Sequence, residues 1–69
     1  MAIDFGSLLT VEQKIDIVQQ RIQQFAAEAY QFELNKKTAE KLGSEEQMEQ
    51  IQQQIDLCAA AIDIHKEEL

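Results

Sequence analysis

The chain has 69 residues, 13 acidic and six basic side chains, a net charge of −7, one cysteine and no proline. The lone Cys58 cannot form an internal disulfide, and together with the single His65 it cannot supply the four ligands of a structural zinc ion. A chain of this length draws only about 3 to 5 kcal/mol from one hydrophobic core, so these numbers favour a single domain that is stabilised by association with other chains.

The N-terminal segment, residues 1–9, is predicted to be an arm outside the helices. Its residues 3–5 alternate like a short extended strand, and Gly6 separates them from the helical pattern that follows. We expect this arm either to cross to a neighbouring subunit or to be a disordered tail. It has no lysine or arginine, so it lacks the basic start of a secretory signal, and no apolar run in the chain is long enough to span a bilayer. The sequence therefore predicts a cytoplasmic protein.

The first helix is predicted over residues 10–42. Thr10 followed by Gln13 is a capping-box pattern, in which the hydroxyl and the side-chain amide satisfy free backbone donors at a helix start. Gly43 ends the helix, because glycine adopts the left-handed conformation that closes a C-terminus at no steric cost. Residues 43–44 are then a turn.

The second helix is predicted over residues 45–69. Ser44 and Gln47 repeat the capping-box pattern directly after Gly43. Because such a short connection reverses the chain, the two helices should lie antiparallel. The predicted fold is therefore all-α: a coiled-coil-like two-helix hairpin that assembles into an oligomeric helical bundle.

The apolar residues alternate in steps of three and four, as the seam of a coiled coil requires. In the first helix the seam contains Leu8, Val11, Ile15, Val18, Ile22, Phe25, Ala29 and Phe32, and in the second Met48, Ile51, Ile55, Cys58, Ile62, His65 and Leu69. Folding the chain at Gly43 places Phe25 opposite Ile62, small Ala29 opposite small Cys58, and Val18 opposite Leu69. The longer first helix is then left without a partner before Val18.

Two groups of apolar residues are predicted to mediate self-association. One is the overhang of the first helix; the other is a second stripe that lies off the seam and includes Ala61. The predicted self-association residues are Leu8, Leu9, Val11 and Ile15 in the overhang, and Tyr30, Leu34, Leu57 and Ile64 in the stripe. A hairpin cannot cover both groups by itself, so the sequence predicts a dimer or a larger bundle.

The charge of the chain indicates which partners it avoids. From Ser44 onward seven acidic residues face the single Lys66, so nucleic acid and anionic membranes should be repelled and a charged partner should be basic. Asp56 and Asp63 form an acidic ridge that either meets such a partner or is simply solvated; we favour solvation. Lys14 and Arg21 either hold an anionic ligand between subunits or pair with acids of a neighbouring chain; we favour pairing.

No arrangement for catalysis is visible in the sequence, so we expect no enzyme and no cofactor. Cys58 has no base beside it and is interpreted as a small core residue. His65 is either a pH switch on the seam or a partly exposed side chain near the helix end, and we favour the second interpretation. No phosphate-binding loop, catalytic triad or metal cluster is present.

Residues 9–37, LTVEQKIDIVQQRIQQFAAEAYQFELNKK, are followed by a glycine turn and a second helix rich in Gln and Glu. This pattern resembles small helical hairpin proteins that are encoded in tailed-bacteriophage genomes. The resemblance covers most of the chain and lies in helix composition and heptad spacing. It implies a setting in the bacterial host cytoplasm and a role in virion assembly or host takeover, and it assigns no functional residue.

Three functions compete at this point. The leading one is a non-catalytic, self-associating interaction protein that acts as an assembly factor, chaperone or adaptor. The second is an acidic inhibitor or decoy that presents the second helix to a basic host protein. The third is an oligomeric small-ligand sponge, which would capture a nucleotide in grooves lined by Tyr30, Arg21 and Lys14.

Overall fold

The structure is a computed structural model that describes residues 2–69 of the chain. A 3-10 turn, Phe5–Leu8, is followed by helix α1, Val11–Lys41, and helix α2, Glu45–Lys66, and this described range contains no strand. The two helices pack against each other as a hairpin with extents of 51 × 25 × 15 Å. The predicted all-α hairpin is therefore confirmed. Neither helix in residues 2–69 combines the length and the apolarity that a membrane crossing requires.

Helix α1 begins with the predicted capping box. The hydroxyl of Thr10 accepts a hydrogen bond from the backbone N–H of Gln13 at 3.1 Å, and the side-chain oxygen of Gln13 accepts one from the backbone N–H of Thr10 at 2.9 Å. Two donors that the helix itself cannot satisfy are thereby paired, which fixes where α1 starts.

Helix α1 ends in a Schellman motif around Gly43, whose φ of 74° is the left-handed conformation expected from the sequence. The Gly43 N–H donates to the carbonyl of Glu40 and the Ser44 N–H donates to the carbonyl of Ala39, each at 3.0 Å. Helix α2 follows after this turn, so the glycine sets the point at which the chain reverses.

The capping box predicted at Ser44 is wrong. The Ser44 side chain makes no capping hydrogen bond, and only its carbonyl supports α2 by accepting from the N–H of Met48 at 3.1 Å. The backbone explains the difference: closing α1 leaves Ser44 with a ψ of 90°, whereas Thr10, free of that constraint, has a ψ of 162°. The same sequence pattern therefore caps one helix and not the other.

This contrast predicts unequal losses of stability for two matched substitutions. Thr10→Ala should lower the free energy of unfolding by about 1 kcal/mol, because it removes a capping hydrogen bond. Ser44→Ala should change it by less than about 0.5 kcal/mol, because no side-chain bond is lost. Urea titrations followed by far-UV circular dichroism at one fixed protein concentration measure both values. Equal losses would contradict the geometry described for Ser44.

The hydrophobic core follows the predicted seam. Among residues 2–69 only Ala39, which is 2% exposed, and Cys58, which is 7% exposed, are buried. The other seam positions within the hairpin are half-buried, namely Ile15, Val18, Ile22, Phe25, Ala29, Phe32, Met48, Ile51, Ile55, Ile62 and His65. Leu69 departs from the prediction: α2 ends at Lys66, and Leu69 is exposed.

The N-terminal segment is not the extended arm that alternation indicated. The Asp4 side chain accepts a hydrogen bond from the Gly6 N–H at 3.1 Å, and the Ser7 hydroxyl donates to the Asp4 carbonyl at 2.8 Å. These bonds form the 3-10 turn Phe5–Leu8. Hydrogen bonds to Asp4 and the flexibility of Gly6 thus stabilise a turn here. An extended strand of three residues would have no partner strand to pair with.

Candidate interaction surfaces

The two flat faces of the hairpin are identified by the grooves between its helices. One groove is lined by Gln19, Ile22, Gln23, Lys66 and Leu69. Another is lined by Leu9, Lys14, Ile17, Val18 and Glu68. Ile17 precedes Gln19 by two residues in α1, and two residues of a helix correspond to a rotation of about 200°. The two grooves therefore lie on opposite faces.

The face with the groove that Ile17 and Glu68 line also carries Leu57, and we call it the Leu57 face. Leu57, Ala61 and Ile64 follow one another in steps of four and three, so they form one row along α2. Lys66, the last residue of α2, lines the groove with Gln19 on the other side, and Ile64 precedes it by two residues, which places the row on this side, where Glu68 of the following turn lies beside Ile17. The Leu57 face consists of Lys14, Ile17, Arg21, Gln24, Glu28, Gln31 and Asn35 from α1 and Gln47, Gln50, Gln54, Leu57, Ala61, Ile64 and Glu68 from α2 and the turn after it.

The opposite face carries Tyr30, and we call it the Tyr30 face. Tyr30 lies seven residues from both Gln23 and Lys37, which line grooves on this side. The face consists of Asp16, Gln19, Gln23, Ala26, Tyr30, Glu33, Lys37 and Glu40 from α1 and Glu45, Glu49, Gln52, Asp56, Ala59, Asp63 and Lys66 from α2. Leu34 belongs to neither face, because its position in the heptad points away from α2.

The second apolar stripe of the sequence analysis therefore does not form one surface. Leu57 and Ile64, which are 63% and 61% exposed, lie on one face, and Tyr30, which is 61% exposed, lies on the other. Both groups are off the seam, as the sequence indicated. Which side of the hairpin each group occupies depends on how the two helices are packed, and the spacing within one helix does not contain that information.

The overhang of α1 is shorter than expected. Leu9 folds back to line a groove with Val18 and Glu68, and Ile15 is half-buried. Leu8 and Val11 remain exposed, each at 70%. Two of the four predicted overhang residues are thus partly covered within the chain: Ile15 on the seam, and Leu9, still 37% exposed, because the N-terminal segment returns along α1.

The two faces differ in charge. The Tyr30 face carries seven carboxylates and two lysines, and the ammonium of Lys36 reaches it from the seam. The Leu57 face carries two basic side chains, Lys14 and Arg21, and two acidic ones, Glu28 and Glu68. Asp56 and Asp63, the acidic ridge of the sequence analysis, both lie on the Tyr30 face. The Asp56 carboxylate accepts a hydrogen bond from Gln52 at 2.9 Å, and Gln52 in turn accepts one from the ammonium of Lys36.

Arg21, Phe25 and His65 form a cluster near the open end of the hairpin. The guanidinium Nε of Arg21 donates to Nε2 of His65 at 3.0 Å, and Arg21 Cζ lies 5.5 Å from the centroid of the Phe25 ring. The Phe25 and His65 rings meet edge to face, with centroids 5.1 Å apart. Because arginine can only donate, Nε2 is an acceptor, so the proton of the neutral imidazole is on Nδ1 and is donated to the Ala61 carbonyl at 2.6 Å.

Sequence reasoning missed this cluster, although a signal for it was present. The seam pairing placed Ile22 opposite His65, and Arg21 is the residue beside Ile22. Arg21 was assigned only to a ligand or to a neighbouring chain; it is engaged within its own hairpin. His65 is partly exposed and next to the last residue of α2, as favoured from the sequence, and both of its ring nitrogens are bonded, one of them to Arg21 of α1.

The described residues provide few groups that could bind a metal ion or a small ligand within one hairpin. The Cys58 thiol is free and buried. No group of three or more metal-ligating side chains exists in the part of the chain that the structure describes. Tyr30 lies on the opposite face from Lys14 and Arg21, so these three residues can line one groove only if different copies of the chain contribute them. The nucleotide-binding groove is therefore not present within a single hairpin.

Comparison with known proteins gives no relative from which a role could be transferred. No protein-family model matches the chain, and no curated protein or solved structure is significantly similar to it. The function is therefore argued below from the burial, charge and exposed surface of this chain.

Proposed function

We propose that the protein is a non-catalytic, self-associating helical interaction protein that serves as an assembly factor, chaperone or adaptor. The observation that carries this proposal is the surface area of the single hairpin, which is 5821 Å² for a mass of 7.9 kDa. A compact monomer of that mass exposes about 4,400 Å². The excess is surface that a folded protein of this size ordinarily buries.

The shape of the hairpin supports the same conclusion. Its radius of gyration is 16.3 Å, whereas a compact chain of this length has about 11 Å. The surface excess of about 1,400 Å² exceeds the roughly 800 Å² that each partner contributes to a standard protein interface. One further hairpin, packed along the first, is thus enough to bring the exposed area into the ordinary range.

Many large apolar side chains are exposed on the single hairpin. Burying a large apolar side chain that is otherwise wet contributes about 1.5 to 3 kcal/mol, so leaving many of them exposed is costly for so small a core. The large apolar residues exposed within residues 2–69 are Ile3, Phe5, Leu8, Leu9, Val11, Ile17, Tyr30, Leu34, Leu42, Leu57, Ile64 and Leu69. Exposure on this scale is typical of an interaction surface.

The cellular setting is also part of the proposal. The resemblance of residues 9–37 to phage-encoded helical hairpins supports a bacterial cytoplasm and a partner that is a virion or host protein. The unpaired thiol of Cys58 agrees with a reducing compartment.

The proposal is tested by the molar mass of the purified chain. We expect light scattering after size exclusion to give at least twice the 7.9 kDa of one chain at micromolar concentration. On dilution, helicity should fall together with the mass, because association stabilises the fold. A monomer that keeps full helicity throughout the dilution series would refute the proposal.

The charge of the Tyr30 face favours one other function, an acidic decoy for a basic host protein. Seven carboxylates on one face produce a strong negative potential, which attracts basic surfaces. If this function is the correct one, a host protein captured on the chain should be released as salt rises, and Asp56→Asn with Asp63→Asn should weaken the capture. A captured protein that is indifferent to both changes excludes it.

A further inference from the structure

We infer that two copies of the chain associate through their Leu57 faces, with the Tyr30 faces left on the outside of the dimer. This inference rests on the proposed function and adds to it the surface that is used. Three surfaces compete for the role: the end of the hairpin with Leu8 and Val11, the Tyr30 face, and the Leu57 face. Area and charge decide between them.

Area excludes the end of the hairpin as the main contact. The end measures 25 × 15 Å, whereas each broad face measures up to 51 × 25 Å. A standard interface takes about 800 Å² from each partner. The end supplies less than half of this area, so Leu8 and Val11 can extend an interface but cannot form one alone. The contact must therefore involve a broad face.

Charge excludes the Tyr30 face as the surface on which two copies meet. Any twofold contact through this face would bring its seven carboxylates and three lysines, Lys36 included, against an identical set, so the excess of negative charge is doubled. Like charges placed against each other across an interface oppose association. The apolar contribution on this face is also small, because Tyr30 is its only large apolar side chain and lies among charged neighbours.

The Leu57 face meets both requirements. Its formal charge is zero, and Ile17, Leu57 and Ile64 provide exposed apolar side chains on both helices. Ala61 separates Leu57 from Ile64 and leaves room for the side chains of a second copy. The face therefore has an apolar strip between charged side chains, as expected for the centre and rim of an interface.

The charges of this face also match those of a second copy. Arg21 and Glu28 lie seven residues apart in the same row of α1. A twofold axis that passes midway between them places Arg21 of each copy against Glu28 of the other. Within one chain the same two residues are separated by about 10 Å along the helix, too far for a direct ion pair. A direct ion pair between the two is thus available only between copies, through the terminal nitrogens of Arg21 that its bond from Nε to His65 leaves over.

The inference is tested with two matched double substitutions. Leu57→Asp with Ile64→Asp changes the Leu57 face, and Tyr30→Asp with Leu34→Asp, the control, makes the same kind of change elsewhere on the hairpin. All four side chains are exposed in the single chain, so neither variant removes a contact within the hairpin, and the first should lose helicity only in step with its loss of association. Sedimentation equilibrium should show that the first variant raises the dissociation constant by at least about 100-fold and that the control changes it little.

A charge reversal provides a second measurement that does not depend on inserting charge into an apolar strip. Glu28→Arg should weaken association about tenfold, because it opposes Arg21 of the second copy, whereas Glu33→Arg, the same change at an exposed position of the Tyr30 face, should leave association nearly unchanged. Unchanged association in the Leu57/Ile64 variant, equal loss in its control, or equal effects of Glu28→Arg and Glu33→Arg would overturn the choice of face. A monomeric wild-type chain would instead refute the proposed function itself, so the two failures are distinguishable.

Discussion

Replacing Ala39 with aspartate should largely unfold the hairpin. Ala39 is 2% exposed, and no other residue between 2 and 69 is as completely enclosed. A carboxylate there would be removed from water, and it would lie in the last turns of α1, where the helix dipole disfavours negative charge. We expect a loss of about 3 kcal/mol or more, which is comparable with the total that a core of this size provides. Far-UV circular dichroism at micromolar concentration measures the remaining helix.

The matched control is Ala27→Asp. Ala27 lies on the same helix and is exposed, so the same change of residue places the carboxylate in water. Its effect should stay within about 1 kcal/mol. If Ala39→Asp retained the helicity and the unfolding midpoint of the control, the burial of Ala39 beside the turn would not be important for stability.

Replacing Phe25 with alanine should cost about 2 to 3 kcal/mol of unfolding free energy. The fully buried phenylalanines of larger cores lose about 3 to 5 kcal/mol, and Phe25 is half-buried. Its ring contacts His65 edge to face and lies beneath the Arg21 guanidinium, so both contacts are lost with it. Thermal and urea unfolding at matched protein concentration measure the loss.

Tyr30→Ala is the control for this substitution. It removes an aromatic ring from the same helix, but a ring that is 61% exposed, and should cost about 0.5 kcal/mol or less. Phe25→Leu, which keeps most of the apolar volume, should recover part of the stability. Equal destabilisation by Phe25→Ala and Tyr30→Ala would show that the cluster around His65 does not hold α1 and α2 together.

The combination of a thin core and a large exposed surface links these stability predictions to association. Only Ala39 and Cys58 are buried among residues 2–69, so the isolated hairpin should be only marginally stable. Substitutions in the seam should therefore weaken association as well, because only the folded hairpin presents the Leu57 face. Substitutions on the Leu57 face, by contrast, should act on association first.

The sequence by itself determined the architecture of the hairpin. The three-four spacing identified the seam from Ile15 to His65, Gly43 marked the reversal, and Thr10 with Gln13 marked the start of α1. Each of these signals acts within one helix or one turn: a heptad repeat selects the buried strip, a positive φ favours glycine, and a cap is made by neighbours three residues apart. Such local physics can be read from the order of residues.

Only the tertiary structure decided the rest. Ser44 has the same capping pattern as Thr10, yet its backbone is committed to closing α1. Tyr30 and Leu57 share an off-seam spacing, yet antiparallel packing places them on opposite faces. The bond from Arg21 to His65 joins residues 44 positions apart in the chain. The Ser44 outcome depends on the backbone of the turn that closes α1. The other two depend on the relative placement of the two helices, because packing, and not the spacing within either helix, determines which side chains meet.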